Sequence, residues 1–212
     1  MMNGENMQEM RIASVKRVHG RATLTLSTGE ILPMPRAMLR ERPYKSGMPF
    51  DRQAFEIFLR ERSYPFALEK SVSLLASRAR TEKEIVDCLR KNAYPEQTIA
   101  RVMAKLQDSG YINDADFAAQ WTAARTSKGL GSRRIRMELR QKGVDQEKID
   151  QALSAVDDEE SLDGAIKAAQ KASRGKDLTS PADRQKILAA LARRGYDFSL
   201  ARQALQMLSK NE

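Results

Sequence analysis

The sequence contains one cysteine and one histidine among its 212 residues, so several kinds of chemistry lack their usual side chains. Because Cys88 has no second cysteine to pair with, an internal disulfide is excluded, and the composition predicts a cytoplasmic protein in a reducing compartment. A zinc site needs a cluster of cysteine and histidine residues, and a P-loop nucleotide site needs a glycine-rich loop; neither pattern is present. We therefore predict no cofactor.

Long hydrophobic runs are absent as well. No segment approaches the roughly 20 consecutive apolar residues that span a membrane. The first ten residues include acids and no apolar run, unlike a signal peptide. We therefore expect no membrane partner.

Residues suited to catalysis are few. His19 stands at a predicted hairpin turn with no orienting partner nearby in sequence, and Cys88 lies between two apolar helix positions with no base spaced to activate it. Asp114 with Asp116, and the acidic run at 157–160, could in principle hold magnesium. Both stand where helices are predicted to begin, so capping and dipole compensation explain them more simply. We predict a binding protein and not an enzyme, with no metal site.

Positive charge is what the sequence has in excess. It carries 37 Lys and Arg against 28 Asp and Glu, a formal net charge of +9 and a pI of about 9.8. A partner that presents phosphates or carboxylates is therefore favoured. The 41% apolar and 31% charged residues suit a helical protein with thin layers and much surface.

The clearest pattern is a threefold repeat with a period of about 50 residues. Apolar residues spaced at i, i+3, i+4 and i+7 mark one face of a helix. This spacing occurs at Ile99/Val102/Met103/Leu106, at Ile149/Ala152/Leu153/Val156 and at Ala201/Ala204/Leu205/Leu208. An i, i+4 pair marks a preceding helix at Ile85/Leu89, Ile135/Leu139 and Ile187/Leu191, and a first helix precedes each pair. Recurrence of this kind is typical of stacked helical arrays.

The predicted fold is therefore mainly α: a tandem array of three three-helix repeats, preceded by a small N-terminal β hairpin or ribbon. We divide the chain into an N-terminal β extension (1–50), a linking helix (51–65), repeat 1 (66–112), repeat 2 (113–157) and repeat 3 (158–212). Strands are predicted at Ile12–Val18, 22–26 and 31–34, and a short helix at 51–61.

Turn and capping residues support these boundaries. Thr81 and Glu84 have the spacing of a capping box, and Ser180 precedes a proline at a first helical position. Gly143 and Gly195 are predicted to end the second helices in a left-handed conformation. In repeat 1 the corresponding residue is Ala93, and we expect Asn92 to substitute for the glycine.

Basic residues recur around the second helices and form the candidate binding site. A solvated charged face without a partner is the simpler interpretation of any one basic helix. Recurrence in all three repeats, together with the net charge, favours binding to anions, since guanidinium groups suit phosphates and carboxylates. Arg133, Arg136 and Arg140 are expected to share one helix face. The candidate residues are Arg125, Lys128, Arg133, Arg134, Arg136, Arg140 and Lys142, with Arg90, Lys91, Arg193 and Arg194 at similar helix ends.

Several short motifs, in their order and spacing, resemble the RecX family of regulators of the RecA recombinase. They cover the chain from about residue 67 to its end, and those of repeat 2 are the most specific. The matching stretches are 80–84 (RTEKE), 110–114 (GYIND), 117–118 (FA), 131–135 (GSRRI), 138–139 (EL), 142–144 (KGV) and 193–196 (RRGY).

The resemblance implies a function that composition alone does not. It implies binding to the RecA–DNA filament and restraint of its ATP hydrolysis, strand exchange and co-protease activity, in recombination and the response to DNA damage. The basic residues would then meet acidic protein surface or the phosphates of single- or double-stranded DNA. A monomer is our expectation, since the array offers no obvious symmetric apolar seam. The main alternative is a helical DNA-binding protein that acts without RecA; a purely structural scaffold is a third reading, and a nuclease a distant fourth.

Overall fold

The chain divides into two compact units, Met1–Ile112 and Asn113–Glu212. The computed structural model describes residues 9–209. The predicted fold class is confirmed. The first unit holds a small antiparallel sheet followed by three helices, and the second holds two successive three-helix repeats.

A three-stranded antiparallel sheet begins the first unit, with β1 at Ile12–Val18, β2 at Arg21–Leu26 and β3 at Ile31–Pro35. Val15 pairs with Leu24 between β1 and β2, and Leu24 pairs with Leu32 between β2 and β3. Alternate residues of β2 are buried, as expected for a strand with one face on a core. A short 3-10 helix, Arg36–Arg40, follows β3.

Helix α1, Arg52–Ser77, differs from the sequence-based prediction. We expected a short linking helix at 51–61, separate from the first helix of repeat 1. The structure has one continuous helix that contains Pro65. Its two halves pack into different cores, since Phe55 contacts the sheet and Ala67 contacts repeat 1. This packing on both sides of the proline holds the helix together.

Repeat 1 is completed by α2, Glu82–Lys91, and α3, Glu96–Asp108. Ile85 and Leu89, the pair predicted from the i, i+4 spacing, are fully buried against the apolar face of α3. In α1, the Ser63 hydroxyl forms a buried hydrogen bond of 2.6 Å with that of Thr98 in α3.

The second unit contains repeats 2 and 3. In each, the predicted apolar pair of the second helix is buried at the centre of the core: Ile135 and Leu139 in repeat 2, Ile187 and Leu191 in repeat 3. The core of repeat 3 is rich in alanine, so its helices approach closely. The helices are α4 (Asp114–Thr126), α5 (Ser132–Gln141), α6 (Gln146–Ser154), α7 (Asp158–Ser173), α8 (Pro181–Arg194) and α9 (Phe198–Leu208).

The ends of the second helices test the capping predictions. Gly143 and Gly195 have φ of 82° and 93°, as predicted. Ala93 itself adopts the left-handed conformation, with φ of 62°, so the expectation that Asn92 substitutes for glycine is wrong. The Asn92 side chain instead donates to the carbonyl of Cys88 at 2.6 Å. Ser180 stands at the N-cap of α8, but its hydroxyl makes no capping hydrogen bond.

Candidate functional site

The N-terminal end of α5 meets the C-terminal end of α8 inside the second unit. The backbone N–H of Gly131 donates to the carbonyl of Arg194 at 2.9 Å, and the N–H of Arg133 donates to the carbonyl of Gly195 at 3.0 Å. The first N–H groups of a helix and its last carbonyls have no partners within their own helix. Each helix therefore satisfies the free backbone groups of the other, with opposite partial charges facing one another.

Two glycines allow this approach. A Cβ atom placed on Gly131 would lie 2.4 Å from the backbone nitrogen of Tyr196, and one placed on Gly195 would lie 2.3 Å from that of Arg134. Both distances are far inside van der Waals contact and involve backbone atoms. Gly131 begins the motif at 131–135, but nothing in the neighbouring sequence indicates a contact with the end of α8, more than sixty residues away.

The contact brings together four arginines from two repeats: Arg133, Arg134, Arg193 and Arg194, which we call the arginine junction. Within the described part of the chain, the exposed side chains of Arg133 and Arg193 form no ion pair or hydrogen bond. Arg134 pairs with Glu138 at 3.4 Å, and the Arg194 guanidinium donates to the carbonyl of Gly129 at 3.3 Å, next to Lys128. The structure thus joins two basic segments that are far apart in sequence.

The charge at the junction affects a neighbouring carboxylate. Asp197 caps α9 and accepts a hydrogen bond from the backbone N–H of Leu200 at 2.9 Å. This bond is the main reason that the pKa of Asp197 lies below its ordinary value; the hydroxyl of Ser199 and the positive charge of Arg133 lower that pKa further. Arg133 therefore acts on repeat 3 although it belongs to repeat 2.

Two other predicted residues, Arg125 and Lys142, are engaged within repeat 2. Arg125 forms an ion pair with Glu138 at 2.7 Å and lies over the Trp121 ring, 4.1 Å from its centroid. Lys142 lies 4.4 Å from the same centroid and 5.4 Å from that of Phe117. The Trp121 indole N–H also donates to Glu138 at 3.0 Å. These cations stabilise the packing of α4 on α5, so they are less available to a partner.

The three arginines predicted to share one face of α5, Arg133, Arg136 and Arg140, differ in their contacts. Arg136 forms an ion pair with Asp150, and Arg140 donates to the Gln146 side chain at 2.9 and 2.6 Å. The pKa of Asp150 is lowered first by its hydrogen bond from Gln146 and then by Arg136. Two of the three arginines therefore tie α5 to α6, and only Arg133 lacks such a contact within residues 9–209.

In the first unit, Arg90 repeats the arrangement of Arg140. Its guanidinium donates to both carboxylate oxygens of Glu96, at 2.8 and 2.9 Å, which ties α2 to α3. This pairing raises the pKa of Arg90 and lowers that of Glu96. The adjacent Lys91 is exposed and forms no ion pair with any described residue.

The other candidate chemistry has ordinary structural roles. Asp157 caps α7 by accepting from the N–H of Glu159 at 3.3 Å, and His19 lies in the β1–β2 turn with φ of 51°. Over the described residues, no group of three or more His, Cys, Asp or Glu side chains is arranged to hold a metal ion. None of the helices in that part of the chain is long and apolar enough to span a membrane.

Comparisons with known proteins agree with this repeat architecture. Models of the first, second and third three-helix domains of RecX match residues 67–106, 113–153 and 158–205. The chain is 35% identical over 206 residues to the regulatory protein RecX of Mycobacteroides abscessus, covering 89% of this chain and 85% of that protein. The chain belongs to the RecX family.

A second RecX, that of Mycolicibacterium smegmatis, is 34% identical over 173 residues, covering 79% of this chain and 90% of that protein. A crystal structure of regulatory protein RecX matches with a TM-score of 0.64 and 24% identity, covering 96% of this chain and all of the other. The crystal structure of RecX from Lactobacillus salivarius matches with a TM-score of 0.66 and 23% identity, over 69% and 97%. The two structures support the fold, and the sequence relatives support a regulatory role.

Proposed function

We propose that the protein regulates a RecA-type recombinase by binding the RecA–DNA filament, with the arginine junction as a principal contact. The effect would be to restrain ATP hydrolysis, strand exchange and co-protease activity. The RecX membership supplies the class of function. The observation that carries the choice of surface is the backbone contact between the ends of α5 and α8, two arginines of each repeat lying at these ends.

Electrostatics supports a binding role for Arg133 and Arg134. Both lie in the first turn of α5, which contains no acid. Positive charge at a helix N-terminus opposes the helix dipole, at a cost of about 0.3–1 kcal/mol per charge. The equivalent turn of α2 contains Glu82 and Glu84. The carbonyls at the end of α8 that face this turn offset part of the cost. Helix stability therefore does not require these arginines, and we assign them to a partner.

The availability of the guanidinium groups supports the same surface. Arg133 and Arg193 are exposed, one in each repeat, and each offers a planar set of donors that suits carboxylates and phosphates. Arg136, although basic, is held by Asp150, so its substitution would disturb the packing of α5 on α6. The informative pair for mutation is therefore Arg133 with Arg193.

The test is the ATPase rate of the cognate RecA on single-stranded DNA at physiological salt, with the protein titrated in. We expect inhibition at protein concentrations well below that of RecA. In Arg133→Glu/Arg193→Glu, half-inhibition should need about tenfold more protein, as expected for the loss of two charged contacts. Lys186→Glu/Arg202→Glu removes the same charge from the same unit and should inhibit like the unchanged protein.

The outcomes separate the competing functions. Equal inhibition by both double variants would show that the arginine junction is not the contact. No inhibition by the folded, unchanged protein would exclude control of the filament. Binding to naked DNA with a steep salt dependence and one preferred sequence would then favour the DNA-binding alternative.

A further inference from the structure

A surface cavity of about 290 Å³ lies beside the arginine junction in the second unit. One face of α7 forms a wall, with residues from Glu160 to Lys171 at helical spacing. The last residue of α4 and the turn that follows it, Thr126 to Gly129, form another, and Arg194 from the end of α8 completes it. Three helices separated in sequence thus contribute to one concave surface.

Positive charge dominates the lining. Four cations, Lys128, Lys167, Lys171 and Arg194, face two acids, Glu160 and Asp163. Lys167 pairs with Asp163 at 2.6 Å, which neutralises one acid. The side chains of Lys128 and Lys171 form no ion pair or hydrogen bond within residues 9–209. Each stands near a helix C-terminus, where a cation is favourable, but that effect does not require the two lysines to face the same cavity.

Two glycines, Gly129 and Gly164, belong to the lining of the cavity. A Cβ atom on Gly164 would lie 3.2 Å from the hydroxyl oxygen of Tyr196. One on Gly129 would lie 3.5 Å from a guanidinium nitrogen of Arg194 and 3.9 Å from the same hydroxyl. Tyr196 itself is buried behind these glycines and is not part of the lining. The arginine and lysine side chains of the lining therefore border a surface that the glycines leave open.

The lining also indicates which part of a nucleic acid fits. Apart from glycine, its only apolar residue is Ala168, and it contains no aromatic ring on which a base could stack. A cavity of cations and hydroxyls suits a backbone phosphate, which carries no sequence information. We propose that this cavity binds a backbone phosphate of single-stranded DNA through Lys128, Lys171 and Arg194. The proposal rests on the proposed function, because it takes the DNA of the filament as the ligand.

The test measures binding of a fluorescein-labelled oligo(dT) to the full-length protein without RecA, by anisotropy over a range of salt concentrations. The variant Lys128→Gln/Lys171→Gln should bind about tenfold more weakly. Its slope of log affinity against log salt should be smaller by roughly 0.7, the contribution of one phosphate contact on a single strand. Lys186→Gln/Arg202→Gln, which removes the same charge elsewhere in the unit, should leave the slope unchanged.

Three results would overturn the proposal. They are an unchanged slope in the cavity variant, equal effects of the two double variants, and no oligonucleotide binding by the unchanged protein at low salt. A cavity variant that binds DNA normally but inhibits the RecA ATPase poorly would show that the cavity contacts protein instead. The ATPase assay with the unchanged protein keeps the two proposals apart. If the unchanged protein inhibits the ATPase but the cavity variant keeps the salt slope, only the cavity proposal is wrong. If the cavity variant shows the expected slope change but the unchanged protein does not inhibit, only filament control is wrong.

Discussion

The second helices of repeats 1 and 2 begin in opposite ways, although they occupy equivalent positions. Helix α2 is capped locally: the Thr81 hydroxyl accepts from the N–H of Glu84 at 3.3 Å, and two acids lie in its first turn. Helix α5 begins at Gly131 with no side-chain cap and two arginines in its first turn. Its free N–H groups are satisfied by carbonyls of α8, in the next repeat.

The difference shows how one requirement is met by two means. Free N–H groups at a helix start need acceptors. In α2 the acceptor is a neighbouring side chain, so the first turn can carry the acids that favour the helix dipole. In α5 the acceptors are backbone carbonyls of another helix, which join repeats 2 and 3. The side chains of its first turn are then not needed to cap the helix.

The largest effect should come from adding one methyl group to the contact between α5 and α8. Gly195→Ala would place Cβ 2.3 Å from the backbone nitrogen of Arg134, at a residue with φ of 93°. We expect the free energy of unfolding to fall by about 3 kcal/mol, from backbone strain and overpacking together. Urea unfolding followed by circular dichroism measures the loss.

Gly143→Ala is the matched control, because Gly143 ends α5 with a similar φ of 82°. It should cost about 1 kcal/mol, the strain of a left-handed alanine. Equal losses in the two variants would mean that the contact between α5 and α8 adds nothing beyond backbone strain at Gly195.

A smaller effect is expected at the start of α2. Thr81→Ala removes a buried hydroxyl that caps the helix, and should lower the free energy of unfolding by about 1 kcal/mol. Inhibition of the RecA ATPase should not change, because Thr81 is buried. Thr81→Ser keeps the hydroxyl and should retain most of the stability. If Thr81→Ser lost as much stability as Thr81→Ala, the effect would come from packing of the threonine methyl group and not from the cap.

Much of this fold could be predicted from the sequence, because most of its signals are local. The pairs Ile85/Leu89, Ile135/Leu139 and Ile187/Leu191 are buried as their spacing predicted. The bounds of β1 were predicted from alternation alone. Local reasoning failed at the end of the linking helix, which continues through Pro65, and at Ala93, which itself adopts the left-handed conformation.

The candidate site was predictable only in part. Its basic residues could be named from charge and recurrence, but their partners could not. Arg136 and Arg140 were expected on a free face, yet Asp150 and Gln146 of the next helix engage them. The contact of Arg194 with Gly129 spans 65 positions, and no periodic pattern connects the two. Lys167 and Lys171 were missed because they belong to the face of α7 and not to a basic cluster in sequence.

The smallest change in stability, and the sharpest contrast with Thr81, is expected for Arg133→Gln. Removing a cation from the first turn of α5 relieves its conflict with the helix dipole. The same change removes a positive charge that stabilises the ionised carboxylate of Asp197. The first effect raises the free energy of unfolding and the second lowers it. At pH 7 we expect the free energy of unfolding to change by less than about 0.5 kcal/mol, while inhibition of the RecA ATPase becomes weaker.

The contribution of Asp197 to stability can be tested by acid unfolding. A carboxylate with a lowered pKa stabilises the fold above its unfolded pKa, close to 3.8, and this contribution is lost as the pH falls through the folded value. Without Arg133 the folded pKa of Asp197 rises toward the ordinary one, so acid unfolding of Arg133→Gln should begin at slightly higher pH. A substantial loss of stability at pH 7 would show that Arg133 serves the fold. Unchanged stability with weaker inhibition would mean that α2 begins with residues that serve folding and α5 with residues that serve binding.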